Sequence, residues 1–310
     1  MSLTTPYNKA HHFFATFVAF CTFLLIIAGA LVTSNDAGLS VPDWPTSFGS
    51  LYRIPPMVGG VRFEHTHRMV AEFIGFLTII LAVWTSQVDR RPWIRKLAWA
   101  ALGTVIAQGI LGGITVLQYL PPSISAAHAT LGQTFFCLVV ALWLFTGRTW
   151  VQEPRMQLPT KRPSLPILTT LAVACVYGQL ILGAAFRHHG IKLLPHIISA
   201  AVVTFVLLWT VVRVLSEYSQ VQQLRRPALM LLTLLMVQLA LGFSAWLTRV
   251  EWGRDAVQPG MSMVITTVSH VAIGALLLAT TVVLAIQAWR HVAIPTAEHV
   301  PAHAAKPVAV

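Results

Sequence analysis

The sequence predicts an all-α integral membrane protein: eight transmembrane helices in two pseudo-repeated four-helix bundles. Three observations lead there. Hydrophobic residues fill 56% of the 310 positions and charged residues only 10%, against about a quarter charged in an ordinary soluble domain. Apolar runs of about twenty residues recur along the chain, each long enough to cross a hydrocarbon core of about 30 Å. The basic residues sit in short turns between those runs and form no aromatic-interleaved patch. The net charge of +11 therefore reads as membrane orientation among lipids and not as nucleic-acid binding.

Taken in order, the runs place helices at 11–33, 63–86, 96–118, 125–147, 165–186, 196–215, 228–249 and 263–289. The first run, His12 to Val32, is too long for a cleavable signal and lacks a small-residue cleavage site. It is also no Arg- and Ser-rich transit peptide, which favours a bacterial plasma membrane. Alternate connections are richly basic: Arg90, Arg91, Arg95 and Lys96; Arg148, Arg155, Lys161 and Arg162; Arg225 and Arg226. The connections between them hold fewer cations, so the basic side and both termini are expected in the cytoplasm. Cys21, Cys137 and Cys175 all fall within apolar runs, where no disulfide or CxxC site forms.

An internal repeat divides the chain. The third, fifth and seventh helices each carry a Gln four residues before a Gly: Gln108 and Gly112, Gln179 and Gly183, Gln238 and Gly242. The expected parse is an N-terminal four-helix half over residues 1–150, a cytoplasmic linker over 151–163 and a C-terminal half over 164–290. A disordered Ala- and Pro-rich tail is expected over 291–310.

The even helices carry the chemistry. His67, His128, His196 and His270 each lie near the start of one, at matched depth toward the outer face, with a small residue four positions on: Ala71, Gly132, Ala200 and Gly274. Strongly coordinating side chains inside a membrane are costly and mark function. The bland alternative is four polar helix–helix contacts, which matched depth and matched small neighbours disfavour. Paired by half, His67 with His128 and His196 with His270, they supply two sets of axial imidazoles for haem iron, with the small residues making room for a macrocycle. No carboxylate or thiol accompanies three of the four, which argues against zinc or copper.

Glu64 stands three residues before His67, on its face of the helix, in the run Glu64-His65-Thr66-His67-Arg68. A carboxylate beside one histidine, in one half only, suits a site that moves protons or stabilises a cationic species next to the macrocycle. A capping carboxylate favoured by the helix dipole is the other reading. Arg68 is placed to pair with Glu64 or with a haem propionate, or to snorkel. Glu72, two turns further in, is a candidate second buried carboxylate. His188 and His189 read as solvated loop residues, and the long first outer loop with Asp36, Asp43 and Trp44 as a lid.

These residues resemble the haem A synthase family. The resemblance rests on Glu64-x-x-His67-Arg68, Gly29-Ala30-Leu31-Val32-Thr33, Asp36-Ala37-Gly38-Leu39-Ser40 and Asp43-Trp44-Pro45. It rests equally on Gln108-Gly109-Ile110-Leu111-Gly112-Gly113, His128-Ala129-Thr130-Leu131-Gly132-Gln133 and the His196 and His270 helices, and it covers roughly residues 11 to 290. It implies an oxidoreductase that converts the C8 methyl of haem O to the formyl of haem A, for cytochrome oxidase. It further implies a substrate haem held by His67 and His128 in the N-terminal half, with Glu64 catalytic, and a haem B cofactor ligated by His196 and His270 in the C-terminal half; Arg68, by its position, joins the candidate substrate-haem residues. With no outer-loop cysteine, the chain resembles the branch lacking a cysteine pair there. Handing over so insoluble a substrate favours contact with a haem O synthase and a cytochrome oxidase assembly factor; homo-oligomerisation stays open. The alternative is a di-haem b-type electron-transfer protein, which needs the four histidines but not Glu64.

Overall fold

The computed structural model describes residues 6–253 and 256–293. It is all-helical among those residues. Helix α1 (Lys9–Ser34) is followed by α2 (Val61–Val88), α3 (Pro92–Leu117), α4 (Pro122–Thr146) and the short α5 (Arg148–Gln152). Then come α6 (Leu165–Arg187), α7 (Leu193–Glu217), α8 (Gln222–Trp246), which runs into a π-helical turn at Leu247–Glu251, and α9 (Met261–His291). Eight of these are long and apolar enough to cross a membrane, and the protein is a multi-pass membrane protein.

Local chemistry explains the ends. The Asn8 side chain accepts the His11 N–H at the start of α1, and prolines open α3, α4 and α6, where a missing N–H costs nothing. Tyr119 and Leu120 take left-handed φ of 58° and 60° to turn α3 into α4. The seventh span begins at Gln222, six residues earlier than the sequence suggests, because α8 runs through Pro227. That proline leaves only the Gln223 carbonyl, in the opening turns, without its helical donor. Polar side chains along the spans satisfy themselves: the hydroxyls of Thr22, Thr78, Thr210 and Thr281 donate to the carbonyl four residues back.

In the first half α1 and α3 each pack on both α2 and α4; in the second, α6 and α8 each pack on both α7 and α9. One core gathers Ile74, Leu81, Ile94, Phe135 and Leu142, and a second Leu207, Leu224, Leu231 and Leu278. A third cluster, Phe136, Val140, Ala275 and Ala279, joins the halves where α4 meets α9. Those two spans are 50% and 61% buried, against 22–33% for the other six, so they form the spine of the molecule. Thr134 on α4 bonds Tyr177 on α6 at 2.8 Å, and Ser34 at the end of α1 bonds Thr267 on α9 at 2.8 Å. In lipid, such packing and hydrogen bonding hold helices together where no hydrophobic drive exists. The tail expected from residue 291 falls, from 294 on, outside the described residues.

Candidate functional site

Each of the four histidines lies against a glycine of the preceding span. A Cβ at Gly29 would come 3.1 Å from Cε1 of His67, one at Gly112 3.1 Å from His128, one at Gly183 2.9 Å from His196 and one at Gly242 3.1 Å from His270. Real Cβ contacts rarely approach so closely, so each glycine is the place where an imidazole rests. The Gln–Gly repeat thereby acquires its meaning. One turn inward from the glycine, the Gln108 and Gln179 amides donate to the His128 and His196 carbonyls at 2.8 and 3.0 Å. The amide nitrogens of Gln108, Gln179 and Gln238 lie 3.4 Å from the Nε2 of their histidines. Gly29 belongs to the same set, but Leu25 stands where the glutamine would be.

The small residues four positions after the histidines do something other than expected in two cases. A Cβ at Gly132 would meet the Gln108 amide at 3.0 Å, and one at Gly274 the Gln238 amide at 3.1 Å. They make room for the glutamine that positions the imidazole.

His196 and His270 face one another across the second half, with ring centroids 6.4 Å apart and planes at 81°. First-row metal–imidazole bonds of about 2.0 Å on either side, plus ring radii of about 1.1 Å, put two axial imidazoles about 6.2 Å centre to centre. The pair is thus already spaced to sandwich an iron. His67 and His128 lie within electrostatic reach of each other in the first half. The Nδ1 atoms of all four are enclosed and without hydrogen-bond partners. Among the described residues no group of three or more His, Cys, Asp or Glu forms a protein-only metal site. One facing pair of imidazoles and a second pair within electrostatic reach are a donor set that fits haem.

The halves differ in what stands beside the histidines. Glu64 is buried, at 4% exposure. Its carboxylate accepts from Nη2 of Arg68 at 2.6 Å and from the Val41 N–H at 2.8 Å. Arg68 donates further to the carbonyls of Val41, Asp43 and Thr46 at 2.9, 2.6 and 3.0 Å. Both Nη atoms of Arg68 are therefore spent on Glu64 and on the first outer loop, so of the roles read from the sequence the geometry shows the Glu64 pairing. Trp44 of that loop lies on Gly113, where a Cβ would be 2.5 Å from the indole, next to the glycine that cradles His128. His65 turns aside to Ser47 at 3.1 Å. At the equivalent positions on α7 stand Leu193 and Ile197. The loop is pinned at Asp43 too: Thr46 and the N–H groups of Phe48 and Gly49 donate to its carboxylate. Burial pulls its pKa upward, but these bonds outweigh it and hold it at about 2.

Comparison with known proteins bears on the same residues. A family model described as cytochrome oxidase assembly protein (COX15-CtaA) matches residues 61–194, which include Glu64, His67, Arg68 and His128. A protein of Symbiobacterium thermophilum named heme A synthase is 30% identical over 253 residues, 71% of this chain and 80% of that relative. The chain belongs to the haem A synthase family. Proteins of the same name from an Exiguobacterium species and from Shouchella clausii are 30% and 34% identical, over 59% and 38% of this chain. These two matches span 60% and 40% of the relatives' own lengths.

Other features of this haem A synthase family member depart from the sequence reading. Glu72 is exposed on the outer side of α2, not a second buried carboxylate. Arg187 closes α6 and donates to Ser34 at 3.1 Å. His189 is exposed, as expected, with φ 62°. His188, however, is half-buried near His128; burial first, then the charges of His128 and His189, push its pKa down to about 4. A groove of about 430 Å³ opens at the opposite end, lined by Trp93, Trp150, Trp289, Arg155 and Arg290, far from the histidines in sequence and depth.

Proposed function

We propose that this chain is a haem A synthase, oxidising the C8 methyl of haem O to the formyl of haem A for cytochrome oxidase. The observation that carries the reading is asymmetry: two histidine pairs on glycine cradles, only one of which, among the described residues, has a buried carboxylate, Glu64, beside it. On this reading residues 1–150 hold the substrate haem between His67 and His128. Residues 164–290 hold haem B between His196 and His270, with 151–163 a cytoplasmic linker. The resident haem supplies one-electron redox chemistry when bound.

The chain's own residues do three things at the substrate. His67 and His128 would hold the substrate haem, their rings set by Gly29 and Gly112 and by the Gln108 amide. Turning a methyl into a formyl adds one oxygen atom, taken from water or dioxygen, and removes hydrogen from the carbon as protons and electrons; Glu64 would accept the protons, its two oxygens positioned by Arg68 and the Val41 N–H. The Val41–Thr46 loop, with Trp44 on Gly113, closes the outer mouth and limits water. The distribution of basic turns supports an orientation with both termini on the cytoplasmic side of a bacterial plasma membrane. An insoluble substrate favours direct contact with a haem O synthase and with an oxidase assembly factor.

The test is extraction and mass identification of pigments from protein made in cells that produce haem O. Wild type should yield haem B together with haem O, a hydroxylated intermediate or haem A. Glu64→Gln should keep its haem yet accumulate haem O. Normal haem A output from that variant would remove Glu64 from the mechanism. Haem B alone in the wild type would point to a di-haem electron-transfer protein.

A further inference from the structure

Two arginines of the second half are unaccounted for by ligand pairs or by the carboxylate. Arg187 lies four residues beyond Gly183 on α6, and Arg249 seven beyond Gly242, in the π-helical turn that extends α8. Since those glycines face His196 and His270, one and two helical turns outward along the same sides bring both guanidiniums to the outer edge of the pair. Local contacts agree. Arg187 bonds Ser34, Ser34 bonds Thr267, and Thr248, beside Arg249, bonds Thr266; Thr266 and Thr267 form the turn of α9 just outside His270.

Neither arginine has a carboxylate within ion-pair distance among the described residues. Asp36 is the acid that Arg249 senses electrostatically, but no ion pair forms. Nη1 of Arg249 is enclosed and has no acceptor at all. A buried guanidinium nitrogen without a partner is costly, so the arrangement is completed by an anion that arrives with a ligand. In the first half the corresponding positions are Thr33, four residues after Gly29, and Tyr119, seven after Gly112. There the nearby cation, Arg68, already has both Nη atoms engaged by Glu64 and the loop carbonyls.

We propose that Arg187 and Arg249 clamp the two propionates of the haem held between His196 and His270, setting that macrocycle with its carboxylate edge outward and making it resident. The first half has no such clamp, so its haem is exchangeable, as a substrate must be. The inference rests on the proposed function, which assigns a haem to each histidine pair.

The experiment measures haem loss from the purified full-length protein to excess apomyoglobin, alongside the optical spectrum of the bound haem. Wild type is loaded with free-acid haem B or with its dimethyl ester, which ligates iron identically but carries no propionate charge. The ester should leave the low-spin site on the order of tenfold or more faster, the loss expected for charge-assisted hydrogen bonds. Arg249→Gln and Arg187→Gln should speed loss of the free acid but not of the ester, and Arg249→Lys should restore part of the difference. Equal loss of acid and ester from wild type overturns the clamp, and that measurement needs no variant to fold. A preparation with no low-spin haem overturns the histidine reading first and the clamp with it.

Discussion

One added methyl group at Gly183 sets an axial imidazole against the helix that cradles it. In Gly183→Ala the new Cβ would lie 2.9 Å from Cε1 and 3.3 Å from Nδ1 of His196, where ordinary contact begins at 3.4 Å. The ring must therefore retreat by about 0.5 Å, toward the His270 ring 6.4 Å away. Overpacking of this kind costs about 1–3 kcal/mol, offset by about 1 kcal/mol because alanine is the better helix former. The net loss of fold stability is small, from nothing to about 2 kcal/mol, but the spacing for two metal bonds is lost. Gly178→Ala is the control, on the same helix with nothing within 4 Å of its would-be Cβ. It should stabilise the fold by up to about 1 kcal/mol and leave the haem alone. Thermal melting in detergent and the reduced-minus-oxidised spectrum read the two effects separately. Gly183→Ala should lose the low-spin signal of one haem while melting close to wild type. If it keeps the full spectrum and haem content of Gly178→Ala, the cradle argument is wrong.

Two further outcomes follow from the first half. Arg68→Leu strands the Glu64 carboxylate in a buried setting and releases three loop carbonyls. Unfolding in detergent should show a loss of about 3–5 kcal/mol, most of it recovered in the double variant with Glu64→Gln; no recovery would mean that the ion pair is not what the substitution breaks. At Asp43 the sign is that of a depressed carboxylate. Its folded pKa of about 2 lies below the ordinary value of about 3.9, so its contribution to loop order is complete above about pH 4 and lost as the pH falls through about 2. Pepsin should nick the first outer loop increasingly across that window, and Asp43→Asn should be nicked throughout it; identical pH profiles for the two would refute the pinning role.

The eight spans were legible because an apolar run of about twenty residues has few other uses, and their ends moved by only a few residues except at the seventh, where the helix begins before Pro227. The histidines were legible for a similar reason: a coordinating ring inside lipid is conspicuous, and four at one depth more so. What surrounds them was less visible. The Gln–Gly repeat stood out in three helices, yet Gly29 escaped it because Leu25 replaces the glutamine. Gly132 and Gly274 were read as room for a macrocycle when they make room for a glutamine amide, since spacing reports that a volume is empty and not what fills it. The partners of Arg68 are mostly backbone carbonyls of a loop, and backbone acceptors leave no mark in side-chain identity. Glu72 followed Glu64 on the helix by two turns and so suggested burial, but the accumulated rotation carries it to the exposed side of α2.

On the proposed assignment, the two halves answer opposite demands with nearly the same framework. A resident cofactor gains from contacts supplied by helices, whose backbone positions do not change, and Arg187 and Arg249 both stand on helical turns beside their glycines. A substrate has to enter and leave, and a fixed clamp would slow its release. The first half places its arginine on the helix as well, but turns it toward the loop: three of the four acceptors of Arg68 are carbonyls between Val41 and Thr46. Opening the mouth then means parting a guanidinium from loop carbonyls while its bond to Glu64 on the same helix survives. Glu64 loses the Val41 N–H at that moment and keeps Arg68, so it is fully positioned only when the loop is closed over the substrate. Lid closure and completion of the acid–base group are in this way one event, which ties proton transfer from the methyl to a closed site.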